Sequence, residues 1–224
     1  MTVVYEPVQT NAKKLIILNA GPPYQGSMSS EGTKEVSLAK SVHGKRTLDW
    51  VLMAADLNKS DILIVSGYSA DTMKNQFDGV DIFENKDWNT TGSAGSLLSV
   101  DLSGIDDLLV CYGDILFRGN IVARLKGADG DVSVAWDSKF RHRYADRSKA
   151  DLTGCEKVVE RDGFLESLGE GLPTDWASGE FIGLVHFKGS ALYLLRAAQA
   201  GYLKKTLSGL SLAGLVEWLR IQGQ

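Results

Sequence analysis

A series of short apolar runs, each followed by a helix-like stretch, constrains this fold more than any other feature of the sequence. Residues 15–18 read Leu-Ile-Ile-Leu, too short for a helix and bounded by turn-forming residues, which marks a buried strand. Residues 61–66, 80–83 and 108–112 read as further strands. Between them, Thr47 is placed to cap a helix whose Leu48, Val51, Leu52 and Ala55 fall at i, i+3, i+4 and i+7. Asp49 in its first turn suits the helix dipole. Helices are also expected over 70–77, 94–100 and 116–125. Strand and helix in alternation imply parallel strands with right-handed crossovers. The expected fold is α/β, a doubly wound, mostly parallel, Rossmann-like sheet.

From Asp131 the pattern changes. Residues 132–136 read as a strand, and 139–149 as a polar, basic and aromatic stretch. Asp162-Gly163 between two apolar segments is a strong hairpin signal. Another strand over 181–187 precedes a helix over 191–202. A last helix carries Leu212, Leu215, Val216 and Leu219 on one face. No repeat or linker divides the chain. Residues 1–224 are therefore expected to form one domain, with halves at 13–130 and 131–224, an inserted hairpin in the second, and an irregular arm over 1–12.

A chain of 224 residues can bury a sizeable core. Its net charge of −4, with no long run of Lys or Arg, argues against a nucleic-acid partner. Cys111 and Cys155 lie far apart in sequence, as in proteins of a reducing compartment rather than in a disulfide framework or metal knuckle. The amino terminus lacks a basic segment followed by an apolar one, and no apolar run approaches about 18 residues. A cytoplasmic protein with no membrane partner is expected. His43, His142 and His186 show no metal spacing, and no nucleophile–His–Asp set stands out.

Several positions have residue types suited to chemistry. Asn19, Ala20 and Gly21 follow the first strand, where small residues let backbone N–H groups approach a phosphate or nucleobase; an ordinary surface loop would look the same. Asp114, after Gly113 at the end of a central strand, is placed to hold Mg²⁺ against a nucleotide phosphate, or to cap a turn. Thr91, Gly92 and Ser93 offer hydroxyls and amides to an anion or base edge, or simply start a helix. Asp137, Phe140, Tyr144 and Arg147, with Arg141 and Arg143 between them, frame a small charged substrate or form a solvated loop. Glu180 opens an apolar strand as a ligand group or as solvent-facing polarity.

Taken in order, these segments resemble the nucleotidyltransferases that join an NTP to a sugar phosphate, phosphocholine or phosphonate. Residues 15–21 are similar to that family's first strand and Ala-Gly step, Thr33-Lys34 to its Thr-Pro-Lys without the proline, and Gly113-Asp114 to its metal-binding Gly-Asp. Asp137 to Arg147, Glu156-Lys157-Val158 and the segment from Gly179 look most like the phosphocholine and phosphonate cytidylyltransferases. The resemblance spans roughly residues 14–222 and implies attack of a phosphate or phosphonate oxygen on the α-phosphorus of CTP, with pyrophosphate released. It implies Asn19, Ala20, Gly21, Thr91, Gly92 and Ser93 at the nucleotide. It likewise implies Lys34 at the triphosphate as the catalytic cation, Mg²⁺ on Asp114, and Asp137, Tyr144, Lys157 and Glu180 at the acceptor.

The chain also departs from the family. Pro22-Pro23-Tyr24-Gln25 replaces a compact glycine-rich turn. No arginine lies between Gly21 and Lys45, Met28 standing near the place of the family's phosphate-clamping residue, and Lys40 rivals Lys34. Family members continue to a strand with a second metal-binding Asp, whereas this chain ends at Gln224. Truncation, a fused or downstream domain, or a ligand that is not used would each account for that. A sugar-1-phosphate nucleotidyltransferase and a non-catalytic nucleotide-binding remnant are the alternative readings.

Overall fold

The computed structural model describes residues 13–22, 36–68 and 70–224. Lys34, Thr33 and Met28 lie outside the described residues. The chain runs through β1 (Leu15–Asn19), β2 (Ser41–Val42), β3 (Lys45–Arg46), α1 (Thr47–Ala55), β4 (Ile62–Ser66), α2 (Ala70–Gln76), β5 (Asp81–Glu84), α3 (Ser93–Leu98), β6 (Asp107–Tyr112) and α4 (Gly119–Lys126). It continues through β7 (Val132–Asp137), α5 (Phe140–Arg143), α6 (Lys149–Gly154), β8 (Lys157–Arg161), β9 (Phe164–Gly169), β10 (Gly179–Lys188), α7 (Gly189–Ala198), α8 (Gly201–Leu207) and α9 (Leu212–Ile221).

Strand β1 is central. It pairs in parallel with β4 on one side and β6 on the other, and β5 extends the parallel set beyond β4. Beyond β6, β10 runs antiparallel and also pairs antiparallel with β7 and with β8 of the β8–β9 hairpin. The result is an eight-stranded, mostly parallel-cored α/β sheet of the Rossmann-like kind. Successive side chains along a strand point to opposite faces, and the core divides accordingly. Leu15, Ile17, Ile62, Ile64, Leu109 and Cys111 pack on one face with Leu48, Val51 and Val122 of α1 and α4. Ile16, Leu18, Val110, Val185 and Phe187 pack on the other with residues of α3, α7 and α9.

Register fixes where the site can form. Asn19 lies beside Ser66, Ser66 beside Glu84, and Leu18 beside Tyr112. The residues following β1, β4, β5 and β6 therefore share one edge, the carboxyl edge where open α/β sheets bind ligands.

Local differences from expectation have identifiable causes. Thr47 begins α1 instead of capping it, and its hydroxyl donates to the Lys40 carbonyl at 3.2 Å. Arg46 takes the cap position, where its backbone N–H donates to Asp49. The single helix expected over 191–202 is two, because Ala200 is extended and Gly201 has φ +62°, which glycine adopts without strain. The polar, basic and aromatic stretch over 139–149 holds α5 and the start of α6, the latter capped by the Ser148 hydroxyl. The hairpin turn forms as read, with Asp162 and Gly163 both at positive φ. Among the described residues, no helix is long and apolar enough to cross a membrane.

At the amino end of β6, Asp107 accepts from His186 Nε2 at 2.9 Å and pairs with Lys126 at 3.4 Å. Burial raises the Asp107 carboxyl, but His186 and Lys126 together hold it below its ordinary value. A carboxylate lowered in the folded state stabilises above its unfolded value of about 3.9. That contribution is lost as pH falls through the lower folded value. Asp107→Asn should therefore cost about 0.5 kcal/mol near neutral pH, a figure discounted for solvent screening. The gap should close toward acid in urea unfolding; a gap unchanged with pH would remove this pair from the acid response.

Candidate active site

The carboxyl edge holds a cavity of about 270 Å³ lined by Leu18, Asn19, Ala20, Gly21, Pro22, Ser37, Trp88, Thr91, Gly92, Ser93, Ser96, Tyr112, Gly113 and Asp114. All the described residues expected at the nucleotide and the metal meet here. Each wall has a structural reason. The Asn19 side chain lies across Gly113, where a Cβ would stand 2.1 Å from Asn19 Oδ1, so no larger residue fits before Asp114. The Ala20 carbonyl accepts from the Tyr68 N–H at 2.9 Å, tying the β1 loop to the end of β4. Asp114 is exposed at the cavity rim.

The 91–93 segment is more committed than its composition suggests. Thr91 Oγ1 accepts from Asn85 Nδ2 at 3.0 Å and donates to the Asp87 carbonyl at 2.9 Å. The N–H groups of Gly92 and Ala94 donate to the Ser208 and Leu210 carbonyls. Ser93 Oγ accepts from the Leu212 N–H at 2.7 Å. Glycine at 92 and 95 permits this close approach, since Cβ atoms there would meet the Leu210 and Ser208 carbonyls at 2.1 and 2.5 Å. What this segment presents to the cavity is therefore mainly the Ser93 hydroxyl and backbone edges.

The acceptor residues expected from the sequence fall into two groups. Asp137, Tyr144 and Glu180 are brought together by Arg143, which pairs with Asp137 at 2.7 Å and Glu180 at 2.5 Å. The Tyr144 hydroxyl donates to Glu180 Oε1 at 2.7 Å. Burial and Glu180 together push the Tyr144 phenol above its ordinary range, so it remains a donor at neutral pH. Lys157 is placed elsewhere. It is fully buried, and its ammonium donates to the carbonyls of Thr153, Cys155 and Glu170 at 2.6, 2.9 and 2.7 Å, using all three of its hydrogens.

Sequence reading missed the link between the halves. Tyr112 lines the cavity, and its hydroxyl donates to Glu156 Oε2 at 3.1 Å and lies 3.5 Å from Ser93 Oγ. Its ring occupies the space that Gly183, at φ +79° in the β10 bulge, leaves open, and Phe181 packs against it edge-on. Burial raises the Glu156 carboxyl, and the charges of Glu170 and Glu180 add to that rise against hydrogen bonds from Ser211 and Tyr112. The Glu-Lys step signalled a site at 156–157; nothing local in sequence reveals that its first residue meets Tyr112.

Mg²⁺ prefers oxygen ligands, typically one or two carboxylates plus substrate phosphates and water. Asp114 at the rim, with Asn19 Oδ1 over Gly113, suits such an ion. Among the described residues no group of three or more His, Cys, Asp or Glu is gathered to hold a metal.

The fold, an open sheet with a cavity at its carboxyl edge, is shared with solved enzymes that transfer or carry nucleotides. A CTP:phosphoglutamine cytidylyltransferase from Campylobacter jejuni subsp. jejuni serotype O:2 is 24% identical over 156 residues, covering 64% of this chain and 61% of that protein. The match thus spans less than two thirds of the relative's length. Among solved structures, the inositol-1-phosphate CTP transferase from T. maritima superposes with a TM-score of 0.67 at 15% identity, covering 96% of this chain and 84% of that one. A UDP-glucose pyrophosphorylase complexed with UDP-glucose gives 0.63 at 12% identity, covering 94% and 87%. No family model matches the sequence.

Proposed function

We propose that the chain transfers a cytidylyl group from CTP to a small phosphonate or phosphocholine-like acceptor, releasing pyrophosphate, with Mg²⁺ as cofactor. The observation that carries this reading is one cavity at the carboxyl edge that joins Asn19–Gly21, Ser93 and Asp114. In the proposed reaction an acceptor oxygen forms a bond to the α-phosphorus of CTP while the α–β bridging bond breaks, so no covalent enzyme intermediate is needed. Backbone at Ala20 and Gly21 approaches the base and ribose. Asp114 is the carboxylate that would hold Mg²⁺, whose contribution when bound is to neutralise charge on the phosphates. Lys34 keeps the triphosphate role that the resemblance implies.

The acceptor side favours a cation-bearing molecule. Asp137 and Glu180 share one arginine, and Glu156 stands within reach of Glu180's charge. Two carboxylates on one guanidinium suit an ammonium-bearing phosphonate or phosphocholine better than a neutral sugar. The buried free cysteines, Cys111 and Cys155, suit a reducing compartment such as the cytoplasm.

The test is pyrophosphate release with each NTP and Mg²⁺ against phosphonates, phosphocholine and sugar 1-phosphates. Release is expected with CTP and a cationic phosphonate or phosphate. Release with a sugar 1-phosphate alone would replace this acceptor class. CTP binding without release from any pair would make the chain a non-catalytic nucleotide binder.

A further inference from the structure

The strand order β4-β1-β6 gives the cavity two opposite ends. Tyr112 ends β6 and Gly113 and Asp114 follow it on one side of β1, whereas Gly67 follows β4 and Trp88 follows β5 on the other. If the rim carboxylate marks the phosphate end, the opposite end belongs to the base, and its wall is the Trp88 indole.

That wall is clamped from several directions. A Cβ at Gly67 would stand 2.6 Å from Trp88 Cβ and Cγ and 2.7 Å from the Ala20 carbonyl, so the indole and the β1 loop both pack onto glycine. Tyr68 meets Trp88 edge-on, with ring centroids 5.5 Å apart. The loop bearing Trp88 is fixed by buried Asn85, whose side-chain amide donates to Thr91 and Ser96 and accepts from the Asp87 N–H. The Asn85 backbone N–H donates to the Ser66 carbonyl at 2.8 Å, anchoring the loop to β4. The half-buried indole is thus packed against Gly67 and Tyr68, on a loop whose backbone the Asn85 bonds hold. The cavity it closes, about 270 Å³, lies below the ~300–1,000 Å³ usual for small-molecule sites.

We infer that Trp88 is a specificity-determining residue, the fixed end wall that admits a one-ring base and excludes a two-ring base. The inference rests on the proposed nucleotide reading of the cavity and adds to it the residue that sets base size. Asn85 is then a positioning residue: it holds the loop that bears the indole and does not itself line the cavity.

Calorimetric binding of CTP and of ATP, each with Mg²⁺, to the wild type, Trp88→Phe and Trp88→Ala tests this. Wild type should prefer CTP by tenfold or more, in the range that one steric increment in a pocket confers. Trp88→Ala should lower the CTP-to-ATP affinity ratio at least tenfold, mainly by strengthening ATP binding, and Trp88→Phe should fall between. Far-ultraviolet circular dichroism confirms that each variant is folded. Equal weakening of both nucleotides would make Trp88 a packing residue and overturn the inference while leaving the nucleotide reading in place. Failure of wild type to bind either nucleotide would overturn both.

Discussion

Asp114→Asn is expected to lower pyrophosphate release by about 10³-fold at saturating Mg²⁺, the scale seen when one electrostatic group is taken from a transition state. The reason is how little else of its kind the site has. Among the described residues no set of three or more acidic, histidine or cysteine side chains is assembled for a metal, and Asp114 is the carboxylate in the cavity lining. Asparagine keeps the size and one oxygen but removes the charge that would draw a divalent ion to the phosphates. Asp114 is exposed, so folding stability should stay within about 0.5 kcal/mol of wild type. The two quantities measured together separate the possibilities. Lost turnover at unchanged stability places the carboxylate in the metal role, and near-normal turnover at the same Mg²⁺ concentration removes it.

The strands of the first half were legible because burial on both faces leaves continuous apolar runs, as at Leu15–Leu18 and Leu108–Cys111, and glycine marks where they end. Asn19–Gly21 and Gly113-Asp114 were legible for a related reason. Close backbone approach demands small residues, and a carboxylate after them either caps a turn or meets a ligand. The rest depended on contacts between distant segments. Trp88 reads as one aromatic in a polar loop, and its role as a wall depends on Gly67, which is near it only because β4 and β5 are neighbours. Tyr112 reads as the end of a strand, and the bulge at Gly183 that seats its ring belongs to β10. The α7–α8 break was in principle visible at Gly201, but apolar spacing across 191–202 masked it. The acidic residues Asp137 and Glu180 were found individually, while Arg143, which holds them together, was read as one cation among several in the same stretch.

Lys157→Met is expected to destabilise the protein by about 3 kcal/mol, without the selective loss of acceptor affinity that a ligand contact would produce. The side chain is fully buried and its three carbonyl partners come from separate places: Thr153 at the end of α6, Cys155 just before β8, and Glu170 just past β9. The ammonium thus closes the base of the hairpin, where Lys157 also pairs with Gly169. Methionine retains the apolar stem but leaves three acceptors without their donor, each costing about 1–3 kcal/mol if water cannot replace it. Thr153 and Glu170 are exposed, so water satisfies some of that demand, which brings the sum down to about 3 kcal/mol. Against a total of about 5–15 kcal/mol, such a loss should be obvious as a lowered midpoint in urea. The sequence-based reading makes the opposite prediction: a lysine that lines the acceptor site could be removed at little cost in stability, with a raised KM for acceptor and an unchanged KM for CTP. Unfolding curves and the two KM values from one variant therefore decide whether Lys157 supports the hairpin or binds substrate.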